Sequence, residues 1–125
     1  MTARERILAY YDALRSGDPL YPFFAESPSV VKFGITERLT GYEEIETGLR
    51  EQTRTTADWT VESSALSVSE RADHAWFSDD VFMSWVDANE GRERAFDSRW
   101  SGTLARRDGE WLFVGMHVST TPTAP

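Results

Sequence analysis

The C-terminal part of the sequence predicts a long β-hairpin. Residues 96–119 carry β-branched and aromatic residues on both sides of the tetrapeptide Arg107-Asp108-Gly109-Glu110. An Asp-Gly pair readily adopts the positive φ angles that a two-residue hairpin turn requires. A hairpin of this length needs other elements to pack against, so it constrains the fold of the whole chain.

Two helices are predicted before the sheet. The capping box formed by Thr2 and Glu5 begins a first helix over residues 3–15, which Gly17 ends. A second box, Thr40 to Glu43, begins another helix after a first strand at residues 30–35.

From residue 58 onward the hydrophobic period changes to two. It predicts four consecutive strands with short connections, over residues 58–70, 74–87, 94–107 and 110–120. Helices followed by an antiparallel sheet indicate an α+β fold with the helices on one face of the sheet.

Composition limits the domain count and the classes of function. A chain of 125 residues with 40% hydrophobic residues fits one domain, expected over residues 1–120, with a disordered tail at 121–125. It has no cysteine, and its two histidines lie far apart among scattered carboxylates, so neither a metal nor another cofactor is expected. A net charge of −8 argues against a nucleic-acid partner. No apolar segment is long enough for a signal peptide or a membrane span, which predicts a cytoplasmic protein without a membrane partner.

The hairpin also resembles a known family. Arg106 to Gly109, followed by Trp111 and by His117-Val118-Ser119, is similar to the closing hairpin of the SnoaL-like branch of the NTF2-like superfamily. The association domain of calcium/calmodulin-dependent kinases looks similar over the same hairpin. The resemblance implies an NTF2-like cone, in which N-terminal helices pack on a curved antiparallel sheet and enclose a pocket.

The resemblance also implies one candidate catalytic residue. Tyr10 lies where NTF2-like ketosteroid isomerases carry the tyrosine that donates a hydrogen bond to a developing enolate oxygen. Their general-base aspartate corresponds to Lys32 and their second acid falls near Gly102, so the isomerase set is incomplete here.

Strand parity gives two alternative pocket faces. The favoured face combines Trp76, Ser78, Asp80 and Phe82 with Ser98, Trp100 and Met116. The other face contains Phe77, Asp79, Arg99, His117 and Ser119, and a single β-bulge would exchange the two.

Each of three polar residues has two possible roles. Lys32 is either a pocket cation that anchors an anionic ligand or a solvent-facing strand residue. Asp80 is either an acid between the aromatic walls Trp76 and Trp100, or Asp79-Asp80 marks a bulge in which both groups are solvated or paired with Arg99. For His117, a role in structural hydrogen bonding is favoured over a role in nucleophilic catalysis.

The leading functional hypothesis is a protein that binds a small, largely apolar organic molecule in the cone. Acid–base chemistry of the isomerase or cyclase type would involve Tyr10, Lys32 and Asp80, and ligand contacts would come from Trp76, Ser78, Phe82, Trp100, Met116, Arg99 and His117. Whether it is an enzyme stays open, since one fold hosts many functions. The alternative is a non-catalytic interaction or assembly module. Large apolar residues on both sheet faces predict a homodimer.

Overall fold

The structure, a computed structural model, describes residues 1–122. Its helices are α1 (Ala3–Ser16), a short 3₁₀ turn (Tyr21–Phe23) and α2 (Tyr42–Thr55). Its strands are β1 (Val31–Phe33), β2 (Arg38–Thr40), β3 (Thr56–Ser63), β4 (Ser67–Glu70), β5 (His74–Asp87), β6 (Arg92–Arg107) and β7 (Glu110–Thr120). The last three residues of the predicted disordered tail lie outside the described residues. Within residues 1–122, no helix is long and apolar enough to cross a membrane.

Helix α1 follows directly from its end signals. The Thr2 hydroxyl accepts a hydrogen bond from the Glu5 amide at 3.1 Å, and the Glu5 carboxylate accepts one from the Thr2 amide at 2.8 Å. Gly17 ends the helix with φ of 71°, a left-handed conformation that glycine adopts without a Cβ clash. The predicted capping box and helix end are confirmed.

Helix α2 begins one residue later than the predicted capping box requires. Gly41, not Thr40, is the N-cap, and it provides no side-chain cap. The Glu44 carboxylate accepts a hydrogen bond from the Thr40 amide at 3.1 Å, so Glu44 takes the role that the sequence assigned to Glu43. Ile45 and Leu49 are fully buried and fix the helix against the sheet.

The sheet has seven strands in the order β2-β1-β7-β6-β5-β3, with β4 also paired to β5. The pairings of β5, β6 and β7 are antiparallel as predicted, whereas β1 runs parallel to β7. The predicted strand 58–70 is two strands, β3 and β4. The Ser64 amide still bonds the Asp80 carbonyl at 3.0 Å, but the next amide, that of Ala65, bonds the Asp79 carboxylate at 3.0 Å. The predicted α+β class is confirmed.

The turn between β6 and β7 has the predicted geometry. Asp108 and Gly109 both have positive φ, 51° and 80°, and Arg107 pairs with Glu110 across the turn. The same strands contain a bulge at Val114, because Leu104 pairs with Phe113 while Thr103 pairs with Gly115. This extra residue changes the face to which β7 side chains point.

The predicted pocket face is wrong for β5, and the reason is the length of the loop between β5 and β6. Asp87 pairs with Arg92 across a loop of four residues, so Asp79 lies opposite Trp100 and odd-numbered β5 residues share a face with even-numbered β6 residues. The side chains that the helices cover are Phe77, Asp79, Val81, Met83, Ser98, Trp100, Leu104, Trp111, Phe113, Met116 and Val118. The opposite, outer face carries Trp76, Ser78, Asp80 and Phe82, which were assigned to the pocket face. That assignment was wrong for β5.

Candidate functional site

A cavity of about 130 Å³ lies between the helices and the covered face of the sheet. Its residues come from α1, the segment 32–37, α2, and strands β3, β5, β6 and β7. We call it the cone cavity. Its apolar wall is formed by Leu14, Ile35, Trp59, Met83, Trp85, Trp100 and Val118, and its polar groups are Tyr10, Lys32, Thr36, Glu37, Gln52 and Thr56.

Tyr10 is a buried residue that contributes its hydroxyl to this cavity. The residue is only 1% exposed, and aromatic rings surround it edge to face, with centroids of Phe23 and Phe113 at 5.3 Å and of Trp100 at 6.2 Å. Burial raises its pKa, and the Glu37 carboxylate raises that pKa further. Across residues 1–122 its hydroxyl has no hydrogen-bond partner, in contrast to the hydroxyls of Tyr11 and Tyr21. Tyr10 therefore presents a neutral, unused hydrogen-bond donor to the cavity.

Lys32 and Glu37 form an ion pair in the cavity wall. Lys32 is 5% exposed, whereas the Glu37 side chain keeps 28% of its surface exposed. Lys32 reaches the cavity because Val31 and Phe33 point to the other side of β1, and Glu37 folds back from the turn before β2. A buried ammonium requires a counter-charge, and Glu37 supplies it.

The tryptophan walls are held in place by hydrogen bonds. The Trp100 indole donates to the Ser98 hydroxyl at 2.9 Å, which itself donates to the Val81 carbonyl at 2.6 Å. Trp59 stacks on Trp85 with a centroid distance of 4.6 Å, and its indole donates to Thr56 at 2.8 Å. These rings form flat apolar surfaces with fixed orientations, which suit a planar ligand.

Asp79 is buried on the covered face but has a structural role. Its carboxylate accepts hydrogen bonds from the Tyr11 hydroxyl at 2.8 Å, the Ser63 hydroxyl at 2.6 Å and the Ala65 amide at 3.0 Å. Burial raises the pKa of Tyr11, and the hydrogen bond to Asp79 adds to that increase. The sequence offered Asp80 as the buried acid and a solvated Asp79 as part of the alternative, whereas the acid that the fold buries is Asp79.

Apart from Trp100 and Met116, the remaining predicted residues lie on the outer face, away from Tyr10 and Lys32. Asp80 pairs in register with Arg99, and Ser101 lies between Ser78 and His117 on adjacent strands. Trp76 and Phe82 are 44% and 37% exposed. Met116 is buried on the covered face, outside the cavity lining. Tyr10, Lys32 and Trp100 are thus the predicted site residues that the structure brings together.

Sequence reasoning missed Glu37, Trp59 and Trp85. A signal for Glu37 was available, because it is the nearest carboxylate after Lys32 in the chain and a buried lysine needs one. Trp59 depends on a bulge in β3, where the register shifts between Ala57 and Thr60, which no local pattern announces. Within the described part of the chain, no group of three His, Asp or Glu side chains could hold a metal ion.

The polar groups of the cavity can both donate hydrogen bonds and accept a proton. Tyr10 and Lys32 are donors, and Glu37 is the carboxylate that lines the cavity with them. A donor and a carboxylate facing one apolar space are the minimal set for binding an oxygen-bearing molecule and moving one of its protons.

Known proteins share this architecture. An NTF2-like superfamily protein from Salmonella enterica serovar Typhimurium superposes with a TM-score of 0.82 at 20% identity, covering 97% of this chain and 89% of that chain. A ketosteroid isomerase-like protein from Erwinia carotovora gives 0.79 at 16% identity, with 98% and 95% covered. A candidate calcium/calmodulin-dependent protein kinase II association domain from Xanthomonas campestris gives 0.77 at 21% identity, with 94% and 84% covered.

At these identities the superpositions establish the fold alone. No functionally curated protein matches the sequence significantly. The sequence does match the SnoaL-like domain family, over residues 3–124. The chain therefore belongs to the SnoaL-like domain family and has an NTF2-like fold.

Proposed function

We propose that the protein binds a small, largely apolar organic molecule in the cone cavity, with an oxygen atom of the ligand on the Tyr10 hydroxyl. The observation that carries this proposal is the Tyr10 hydroxyl, which belongs to a buried residue, lines the cone cavity and has no hydrogen-bond partner within residues 1–122. A ligand acceptor on this hydroxyl would form one hydrogen bond, which contributes about 0.5–1.5 kcal/mol net.

The size of the cavity limits the ligand. Drug-sized molecules occupy pockets of about 300–1,000 Å³, and an apolar cavity of about 150 Å³ is enough for benzene. A volume of about 130 Å³ is slightly smaller than that, so the enclosed part of the ligand is limited to about one ring. The flat walls Trp59, Trp85 and Trp100 favour an aromatic or conjugated ring.

Acid–base chemistry of the isomerase or cyclase type is the reaction that the cavity groups support. In such a reaction the Glu37 carboxylate takes a proton from the carbon next to a ligand carbonyl, and the C–H electron pair forms an enolate. Tyr10 donates a hydrogen bond to the enolate oxygen, and Glu37 returns the proton to another carbon. The similarity to a ketosteroid isomerase-like protein supports this class of chemistry. Asp80 is excluded from this set by its place on the outer face.

Acetophenone, a one-ring ketone, tests both binding and proton transfer. We expect isothermal titration to detect binding that Tyr10→Phe weakens about tenfold, since one hydrogen bond to a buried group accounts for about 1.4 kcal/mol. Tyr42→Phe, a tyrosine outside the cavity lining, is the matched control. In deuterated water, NMR should show faster loss of the ketone's methyl protons with the protein than with Glu37→Gln. Acetophenone binding that Tyr10→Phe does not weaken would refute the proposed site.

The outer face favours a second role, assembly of a homodimer. Exposed Trp76 and Phe82 lie on either side of the Asp80–Arg99 pair, and in a two-fold interface each Asp80 could meet the partner's Arg99. Analytical ultracentrifugation of Phe82→Glu tests this role, with Leu8→Glu on the exposed side of α1 as the control. A dimer that survives Phe82→Glu would contradict it. The cytoplasmic location stays a prediction from the sequence.

A further inference from the structure

Two groups of the cone cavity, the Lys32 ammonium and the Tyr10 hydroxyl, have hydrogen-bond donors without a partner among residues 1–122. An ammonium group has three N–H donors, and among the described residues the Lys32 ammonium has one partner, Glu37. The Tyr10 hydroxyl adds a further donor without a partner in residues 1–122. Glu37, the one carboxylate of the described lining, is already engaged by Lys32. The free donors of Lys32 and Tyr10 match a ligand group rich in acceptors.

We propose that the ligand is a small aromatic carboxylate, which takes the place of Glu37 on Lys32 and accepts a hydrogen bond from Tyr10. This inference rests on the proposed binding of a small aromatic molecule in the cone cavity and adds the chemical class of the ligand. It does not involve the acid–base step, because Glu37 leaves the cavity when the carboxylate binds. A carboxylate has two oxygens with about four acceptor sites, enough for the free donors of Lys32 and Tyr10 together. The ammonium would exchange one carboxylate for another, so its buried charge would stay paired.

Glu37 is placed so that it can leave the cavity without disturbing the fold. Its side chain is 28% exposed. Glu37 lies in the turn between β1 and β2, where its carbonyl accepts a hydrogen bond from the Gly34 amide at 3.0 Å. That backbone bond does not involve the carboxylate. Rotation of the side chain alone would therefore move the carboxylate to solvent while the turn keeps its structure.

Gly34 makes room for the inward position of Glu37. A Cβ atom added at Gly34 would lie 2.7 Å from the Glu37 Cγ, closer than van der Waals contact allows. The backbone of Gly34 does not have the positive φ that would exclude alanine. Gly34→Ala should therefore push the Glu37 side chain outward and leave Lys32 free for another anion.

The charge of the chain as a whole does not prevent anion binding. The net charge of −8 opposes the approach of an anion. At physiological ionic strength this repulsion is screened over about 8 Å, whereas a buried ammonium acts at contact distance. The local donors therefore decide which ligand binds.

Benzoate and its neutral counterpart benzyl alcohol are the probes, titrated calorimetrically into the full chain. We expect benzoate to bind at least about tenfold more tightly, because charge-assisted hydrogen bonds are about twice as strong as neutral ones. Lys32→Gln should remove this preference while benzyl alcohol binding stays within about twofold. Arg99→Gln, which removes a cation from the outer face, should change neither affinity.

The variants of the turn give the sharpest outcome. Glu37→Gln and Gly34→Ala should both tighten benzoate binding, by about threefold or more, because each removes the internal competitor. Weaker benzoate binding in Glu37→Gln, or equal binding of benzoate and benzyl alcohol, would overturn the carboxylate assignment. If benzyl alcohol binds through Tyr10 and benzoate does not, this assignment fails while the proposed function stands. If neither probe binds, both fail.

Discussion

The buried carboxylate of Asp79 gives the strongest stability prediction. Asp79→Ala would leave three donors without their acceptor: the Tyr11 hydroxyl, the Ser63 hydroxyl and the Ala65 amide. Each unsatisfied donor costs about 1–3 kcal/mol, and the two part-buried ones can partly recover by bonding water. We therefore expect a loss of about 3–5 kcal/mol in the free energy of unfolding. With a urea m-value of about 2 kcal/mol per molar, the unfolding midpoint should fall by about 2 M.

Asp80 provides a matched control for this experiment. It is the next residue in β5, of the same type, but it lies exposed on the outer face. Asp80→Ala should change the unfolding free energy by no more than about 0.5 kcal/mol. Tyr11→Phe combined with Asp79→Ala should show a coupling of about 1 kcal/mol or more, because the two residues share one buried hydrogen bond. Equal losses for the two alanine variants would refute both the hydrogen-bond argument and the corrected face of β5.

Three further tests concern a buried tyrosine, a close sheet contact and a helix cap. An unfolded tyrosine ionises near pH 10, whereas burial raises the pKa of Tyr10 in the fold, so the protein should lose stability as the pH rises above about 10. In urea unfolding between about pH 9 and 11, the Tyr10→Phe variant should lose less unfolding free energy than the unchanged protein. An equal loss in the two proteins would contradict this. Gly102→Ala would place a Cβ 2.4 Å from the Gly115 carbonyl oxygen and should cost about 2 kcal/mol or more, whereas Ser101→Ala on the outer face should be nearly neutral. Thr2→Ala removes the hydroxyl cap of α1 and should cost about 1 kcal/mol in thermal unfolding; no change would mean that the cap is dispensable.

The elements with local signals could be predicted from the sequence. Asp108 and Gly109 specify the β6–β7 turn because few other residues accept positive φ at two successive positions. Thr2 specifies the start of α1 because its hydroxyl satisfies an amide that the helix leaves free. In both cases the determining interaction lies within four residues, so it can be read without knowing the rest of the fold.

The face of each strand could not be predicted in the same way. The loop at 88–91 has four residues, and one residue more or fewer would invert the face of every side chain in β5 relative to β6. The bulge at Val114 also inverts the face to which the later β7 side chains point, which is why Trp111 and Met116 share a face although one number is odd and the other even. Register is a property of paired strands, so the sequence of one strand cannot determine it.

The cavity charges show how a long-range prediction could have been improved. Lys32 was recognised as a residue that would be either buried or solvated, and the acidic partner that decides between these outcomes lies five residues further along the chain. Leu39 is the residue directly opposite Lys32 on β2, so Glu37 reaches the ammonium from the turn and not from the strand ladder. Strands of three residues gave no periodic signal for this turn. A buried cation nevertheless requires an anion, and in a chain with a single lysine that requirement points to the nearest carboxylate. Charge balance inside a cavity can thus identify a site residue where hydrophobic periodicity does not.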